Sequence, residues 1–388
     1  MRPLIRAVLR GLVIFGASTA LVWYELAPFF DPRGDEGARL LSEERATLAD
    51  TAREAEVRAT LRRTNPEWDL MRRTFVGLTL ANEAERDEAH RADVLWELDA
   101  LAEDLLEEDA REGVTGFLLP YGKNRPFQHG EHSIFVDGEI AVALAAREVV
   151  APASPAHRAA LDERITRIET AMDASPSRSG ESYPDEAWSF CNTTALAALR
   201  LYDVARGTDH RAYATAWIEV AKAHLIDERT GVLVSSYRWN GAWLDRSEGS
   251  TIFMAAHNLL LWDDAFARDQ WAKAKQAFVF DVAGFTLARE WPHAEGATDI
   301  DSGPVIPLLD ASPGASGLAV LGAAAFADGD TERGLLRSLR FAAFPQTTAH
   351  GMRFAGASPM GDAVIGYALS VGPIWDKANR ARTREARR

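Results

Sequence analysis

SYPDEAWSFCNTTALAALRLYDVARGTDHRAYATAWIEVAKAHLIDERTGVLVSSY, residues 182–237, carries the pattern by which the rest of the chain can be read. From Cys191 to Arg206 apolar residues recur at three- and four-residue spacing, and Gly207 follows where that run ends. The same spacing resumes over 209–227. A strand-like piece, 231–237, then leads into Trp239-Asn240-Gly241, a hairpin turn. The stretch is therefore a pair of helices joined by a short link and followed by a long one. Outward from it, helix-like segments recur at 43–63, 67–87, 91–112, 137–150, 156–173, 250–263, 265–289, 314–328, 331–343 and 360–377. Long loops rich in aromatic and acidic residues lie at 113–132, 175–189, 235–249 and 290–313. Alternating short and long connections are what an all-α toroid of six helical hairpins requires. Its long loops would gather over one end, and function belongs at that end.

The 388 residues include 43 Lys+Arg against 57 Asp+Glu, a net charge of −14 that repels a phosphate backbone, so nucleic acid is not an expected partner. Cys191 is the sole cysteine, and no intrachain disulfide can form. The sequence has no Gly-rich phosphate loop, no HExxH and no Cys/His pair at zinc spacing, and neither metal nor cofactor is expected. The N-terminus differs in character. Arg2, Arg6 and Arg10 precede an apolar run from Gly11 to Tyr24, which Glu25 interrupts before Leu26 to Phe30. A core of about 14 residues is nearer a signal-peptide core than the ~20 of a full span. Trp23 and Tyr24 nevertheless suit an interfacial belt, and no convincing small-residue cleavage site follows. The expectation is an uncleaved signal anchor over 1–30, with the body outside the cytoplasm, in the periplasm of a two-membrane cell. A linker and leading helix would occupy 31–65, one domain 66–376, and a solvated basic tail 377–388.

Three stretches could carry chemistry. In SYPDEAWSFCN, Asp185 and Glu186 fall in a loop while Cys191 begins a helix, where the macrodipole and free N–H groups lower a thiol's pKa. A buried, inert cysteine is the alternative. In FVDGEIAVALAAR, Asp137 and Glu139 open a strongly apolar helix. Asp137 reads as an N-terminal capping acid, whereas Glu139, facing a barrel interior, would have the raised pKa of a general acid. In AREWP and TDIDSGPVIP, Glu290, Asp299 and Asp301 bring three acids into one loop, without the full pattern of a calcium-binding loop. Tyr237, Trp239, Trp243, Glu248 and His257 are weaker candidates, His257 as a hydrogen-bonded core histidine.

The run from Ser182 through Cys191-Asn192, then LYDVARGTDHRAYATAWIEVAK and LIDERTGVLVSSY, resembles the linalool dehydratase/isomerase family. The blocks PD, CN, YD, GTD, W, LID and G fall in the family's order and spacing. The similarity continues through DDAFARDQWAKAKQAF and, more weakly, TDIDSGP. The resemblance implies an (α/α)6 barrel, a homo-oligomeric ring and cofactor-free chemistry on an allylic terpene alcohol. That chemistry is acid-assisted loss of water or migration of the hydroxyl. The family's acid–base groups are two cysteines, a histidine and an aspartate, aided by tyrosines. The second cysteine falls on Cys191. The first falls on Ser182, the histidine on Glu139 and the aspartate on Asn82, and no tyrosine occurs near Ser250. Serine supplies no thiol, and glutamate for histidine changes the protons available.

The reading that follows from the resemblance is a lyase or isomerase in which Glu139 and Cys191 act as acid and base on a small, hydroxylated, largely apolar substrate. Trp188, Phe190 and Tyr237 would form aromatic walls, with Ser182, Asn192, Asn82 and Glu290 contacting the substrate. A membrane anchor suits substrates that partition into lipid. A second reading is a carbohydrate-active enzyme, because this barrel also hosts glycoside hydrolases, lyases and epimerases, and Glu139, Asp185, Glu290 and Asp301 could supply a carboxylate pair. A third is a membrane-tethered scaffold without chemistry. The pocket discriminates among them: a carboxyl pair in an open groove favours sugar, an apolar cavity around Cys191 favours the dehydratase reading, and a filled pocket favours the scaffold.

Overall fold

The structure is a computed structural model that describes residues 2–128, 130–292, 302–306 and 308–385. Among these residues fifteen α-helices form. They are α1 (Arg2–Leu26), α2 (Glu36–Ala49), α3 (Thr51–Thr64), α4 (Pro66–Arg86), α5 (Arg91–Glu112), α6 (Ile134–Val150), α7 (Pro155–Ala174) and α8 (Ser189–Arg206). After them come α9 (Arg211–His224), α10 (Gly249–Leu259), α11 (Asp264–Phe278), α12 (Pro313–Ala325), α13 (Gly329–Ala343), α14 (Pro359–Ala368) and α15 (Pro373–Glu385).

Which helices lie inside follows from their composition. Every residue of α6 and of α10 is buried, as a helix apolar on all sides must be. By contrast α5, α9 and α11 bury one stripe each, such as Val94, Leu98, Leu101 and Leu105 of α5. The helices α4, α6, α8, α10, α12 and α14 pack each on the next, and α14 closes on α4. This is a six-membered inner ring, with α3, α5, α7, α9, α11 and α13 outside it, and the expected (α/α)6 barrel is formed. The tightest seam is α6 on α8, where Gly138 meets the backbone of Ala195 and a Cβ on Gly138 would lie 3.3 Å from the Ala195 nitrogen.

From α4 onward, connections from inner to outer helices are short turns and those from outer to inner helices are long, whereas α3 joins α4 through Asn65 alone. The long ones therefore collect at the N-terminal ends of the inner ring. Two of them pair as an antiparallel sheet of β1 (Ala187–Trp188), β2 (Ser236–Tyr237) and β3 (Trp243–Asp245). The β2–β3 hairpin contains the Trp239-Asn240-Gly241 turn, with Gly241 at φ 89°.

Four boundaries differ from the sequence expectation, each for a local reason. The segment 43–63 is two helices, because Asp50 takes extended backbone and its carboxylate caps α3 through the amides of Ala52 and Arg53. The segment 265–289 stops at Phe278. The chain then forms the hairpin β4 (Val279–Val282) and β5 (Phe285–Ala288), turned by Ala283 and Gly284, both at positive φ. The segment 360–377 breaks at Gly372, φ 130°, and Pro373 starts α15. The expected solvated tail at 377–388 is also partly helix. Lys377 donates to the Val149 carbonyl at the C-terminal end of α6 and pairs with Glu85, so α15 lies across the short-loop end of the barrel. At the other end, the leading helix expected within 31–65 is the pair α2 and α3. They pack on α14 and α4, and Arg72 of α4, fully buried, pairs with Glu44 and Glu54.

Helix α1 is long and apolar enough to cross a membrane. It meets the body at its C-terminal end, where Trp23 packs edge-on against Phe341 and Phe285.

A candidate active site at the long-loop end

A cavity of about 510 Å³ opens at the N-terminal ends of the inner helices. Its wall is mostly apolar: Trp68 and Met71 of α4, Phe135 of α6, Trp188 and Phe190, Leu318 and Val320 of α12, Leu335 and Leu339 of α13, and Val364 and Ile365 of α14. One corner is polar, with Glu67, Tyr183 and Cys191 together and Ser250 and Thr251 beside them.

Each polar group has a local reason for its place. Asn65 caps α4 by accepting from the Glu67 amide at 2.9 Å, with Pro66 at the first helical position, so Glu67 stands in the first turn, where the helix dipole favours a carboxylate. Tyr183 begins a tight turn in which Pro184 is followed by Asp185 at φ 58°, and the Glu186 amide returns to the Tyr183 carbonyl at 2.9 Å. That turn aims the Tyr183 hydroxyl at Glu67, to which it donates, while it accepts from the Leu119 amide at 2.9 Å. Tyr121 stacks on the Tyr183 ring at 4.5 Å. Burial and the Glu67 charge push the Tyr183 phenol far above its ordinary value, so it is a neutral donor.

Cys191 is the third residue of α8, as the sequence led one to expect, but its thiol moves the other way. Burial pushes it well above the ordinary cysteine value, a Ser182 hydrogen bond opposes this, and the charges of Glu67, Glu139 and Glu186 add to it. The helix N-terminus does not produce a thiolate here, because desolvation and three carboxylates outweigh a partial charge. Glu139 lies one turn deeper on α6 than Phe135. Burial raises its carboxyl to about 7, with a hydrogen bond from Thr74 opposing and the Glu67 charge adding. Its Oε1 has no hydrogen-bond partner, which suits a protonated acid.

The other sequence candidates fall elsewhere. Trp188 and Phe190 line the cavity, and Glu186 accepts from the Trp188 indole at 2.6 Å. Ser182 touches Cys191 and accepts from the Trp188 amide. Asn192 faces away from the cavity and clamps the preceding loop, exchanging bonds with the Gly180 amide and carbonyl and donating to the Trp188 carbonyl. Tyr237 is fully buried against Ser179 and Trp217, off the cavity wall. Asp185 pairs with Arg238 on the outside of its turn. Asn82 is at the opposite end of α4, where it accepts from the Ile374 amide. Asp137 pairs with Arg164 and Arg167 of α7.

Glu290 stands behind the wall. It accepts from the hydroxyls of Ser250, Ser302 and Ser312, and so fixes the loop that covers Ser250. His257 is a core residue, bonded to Tyr367 and stacked on Trp375. Asp299 and Asp301 lie outside the described residues.

Sequence reasoning missed Glu67 and left Tyr183 unassigned. A glutamate after Asn-Pro reads as an ordinary first-turn acid, and Tyr183 sat unremarked inside the motif that named Ser182 and Cys191. Among the described residues no three His, Cys, Asp or Glu side chains gather in a metal-binding arrangement.

Solved structures that resemble this one include two carbohydrate-active enzymes. The GH76 alpha-mannanase of Bacteroides thetaiotaomicron matches with a TM-score of 0.47 at 10% identity, covering 81% of this chain and 87% of its own. The unsaturated glucuronyl hydrolase of Bacillus sp. GL1, responsible for degradation of glycosaminoglycan, matches with a TM-score of 0.49 at 13% identity, covering 79% and 86%. The family profile described as linalool dehydratase/isomerase matches residues 166–360, half of the chain. That span contains Ser182, Tyr183, Cys191, Ser250 and Glu290, while Glu67 of the corner and the buried Glu139 come from the two inner helices before it. By this match the chain belongs to the linalool dehydratase/isomerase family.

Proposed function

We propose that the protein is a cofactor-free lyase or isomerase that moves or removes the hydroxyl of a largely apolar, allylic alcohol. The observation that carries this is the lining of the cavity: apolar walls of ligand size around one polar corner, with Glu67 its sole carboxylate among the described lining residues. Loss of water from such an alcohol needs a proton on the departing oxygen and a base for a proton on the neighbouring carbon. Glu139, protonated up to near neutral pH, is the proton reserve, and the neutral Cys191 thiol, near enough to feel its charge, lines the cavity. Glu67 is the base, held by Tyr183. Return of water to the other end of the allylic cation would give the isomer. Glycoside cleavage needs two carboxyls facing the sugar, and among the described residues this wall offers one. We further infer that α1 is an uncleaved anchor with the body outside the cytoplasm.

The test is to incubate the full chain in detergent with linalool, geraniol and related allylic alcohols, read by gas chromatography, beside a glycan panel read by mass spectrometry. Water loss or isomerisation that falls at least 100-fold in Glu67→Gln supports the reading. A mass change in a glycan with no turnover of any alcohol overturns it.

A further inference from the structure

We propose that the face around the root of α1 rests in the bilayer surface and that the cavity is filled from the lipid phase through it. The inference deepens the reading above by naming where the substrate comes from.

Four large apolar side chains are exposed where the anchor meets the body: Phe29 just after α1, Val282 in the β4–β5 hairpin, and Phe341 and Phe344 at the end of α13. A body this acidic gains little from a bare apolar patch facing water, and such patches mark contact surfaces. The occupant is named by continuity with α1. A Cβ on Gly284 would lie 3.0 Å from the Ala27 Cβ and 3.4 Å from Tyr24, so the hairpin sits against the last turns of the helix that is long enough to cross a membrane. Phe30 packs on Phe285 and Phe341 at 6.0 and 5.3 Å. A bilayer that holds α1 reaches this face before any other part of the body.

The same elements are the cavity wall. Phe285 packs on the anchor while Leu287, two residues along and on the same side of β5, lines the cavity. On α13, Phe341 meets Trp23 while Leu335, Leu339 and Ala342 face the cavity. Ala343 is a lining residue, and its neighbour Phe344 is 66% exposed at φ 52°. An apolar surface thus runs from the anchor to the cavity, flanked by the ion pairs that Asp31 and Glu36 make with Arg337 and Arg340 of α13. With a net charge of −14, contact with lipid here rests on apolar insertion rather than on attraction to anionic headgroups.

The experiment places an environment-sensitive fluorophore at Phe344→Cys in the full chain carrying Cys191→Ser, reconstituted in phosphatidylcholine vesicles, and quenches it with lipids spin-labelled along the acyl chain. A label at Thr166→Cys on α7, across the ring, is the control. Quenching at residue 344 several-fold stronger than at 166 supports the proposal. Equal, weak quenching at both sites overturns it, and since no turnover is measured, that result leaves the chemical reading standing. In a second measurement, Phe341→Asp/Phe344→Asp should raise KM for a vesicle-dissolved alcohol about tenfold while kcat stays within twofold. An unchanged KM counts against loading from the bilayer.

Discussion

Glu139 owes its behaviour to depth. One turn above it on α6, Phe135 lines the cavity, and one turn further from solvent the carboxyl loses its water and is left with Oε1 unpaired. Its value rises from 4.5 to about 7, so the folded state binds its proton more tightly than the unfolded chain does. Stability from this group is therefore full below about pH 4.5 and is lost as pH rises to 7, a change of about 3 kcal/mol. Glu139→Gln should remove that dependence: the variant gains on the wild type through this window and holds its advantage above pH 7. Urea denaturation at pH 4.5, 6 and 8 measures it, and a difference independent of pH would contradict the assignment. Cys191 gives the second residue-scale prediction. A buried thiol raised above its ordinary range should resist iodoacetamide at pH 8 in the folded chain and react only on unfolding. Rapid labelling of the native protein would mean that the helix start does make a thiolate.

At the scale of elements, the loop over 180–188 is held to α8 by Asn192, whose buried side chain makes three bonds to backbone groups. Asn192→Ala would leave the Gly180 amide and carbonyl without partners, at a cost of about 2–4 kcal/mol. It should also loosen the turn that aims Tyr183, lowering kcat more than the stability loss alone explains. Chemical denaturation beside turnover separates the two, and an unchanged stability would refute the clamp. What the sequence could reveal follows the same division. Helix α5 matched its expected span because its apolar stripe is regular. The β4–β5 hairpin was hidden because Ala283-Gly284 is a weak turn signal and Val279 to Ala288 continues the apolar content of α11. Cys191 and Glu139 could be read from motif and resemblance, since each lies on a helix with a recognisable start. Glu67 could not, because its place beside Tyr183 depends on bringing together residues 116 positions apart.

On the scale of the whole molecule, the barrel has one open end and one closed end, and α15 closes the second. Ile374, Trp375 and Ala378 are buried there. Trp375 stacks on His257 at 4.7 Å, and Arg200 donates to the Ala378 carbonyl at 3.0 Å. Burial of those three side chains contributes about 5 kcal/mol, which in a domain of this size corresponds to a fall of about 6 °C in Tm when it is lost. Ending the chain at Gly372 should produce that fall in circular dichroism melts. His257, held near 3 by burial, should then regain water and titrate closer to its ordinary 6.5. In the intact chain the unfolded state takes up a proton at His257 below pH 6.5 that the folded state refuses, so stability falls as pH drops from 6.5 towards 3. The shortened chain should lose less stability than the intact one across that range. If its acid sensitivity were undiminished, the low value of His257 would have to arise within the inner ring, and α15 would be a cover rather than part of the core.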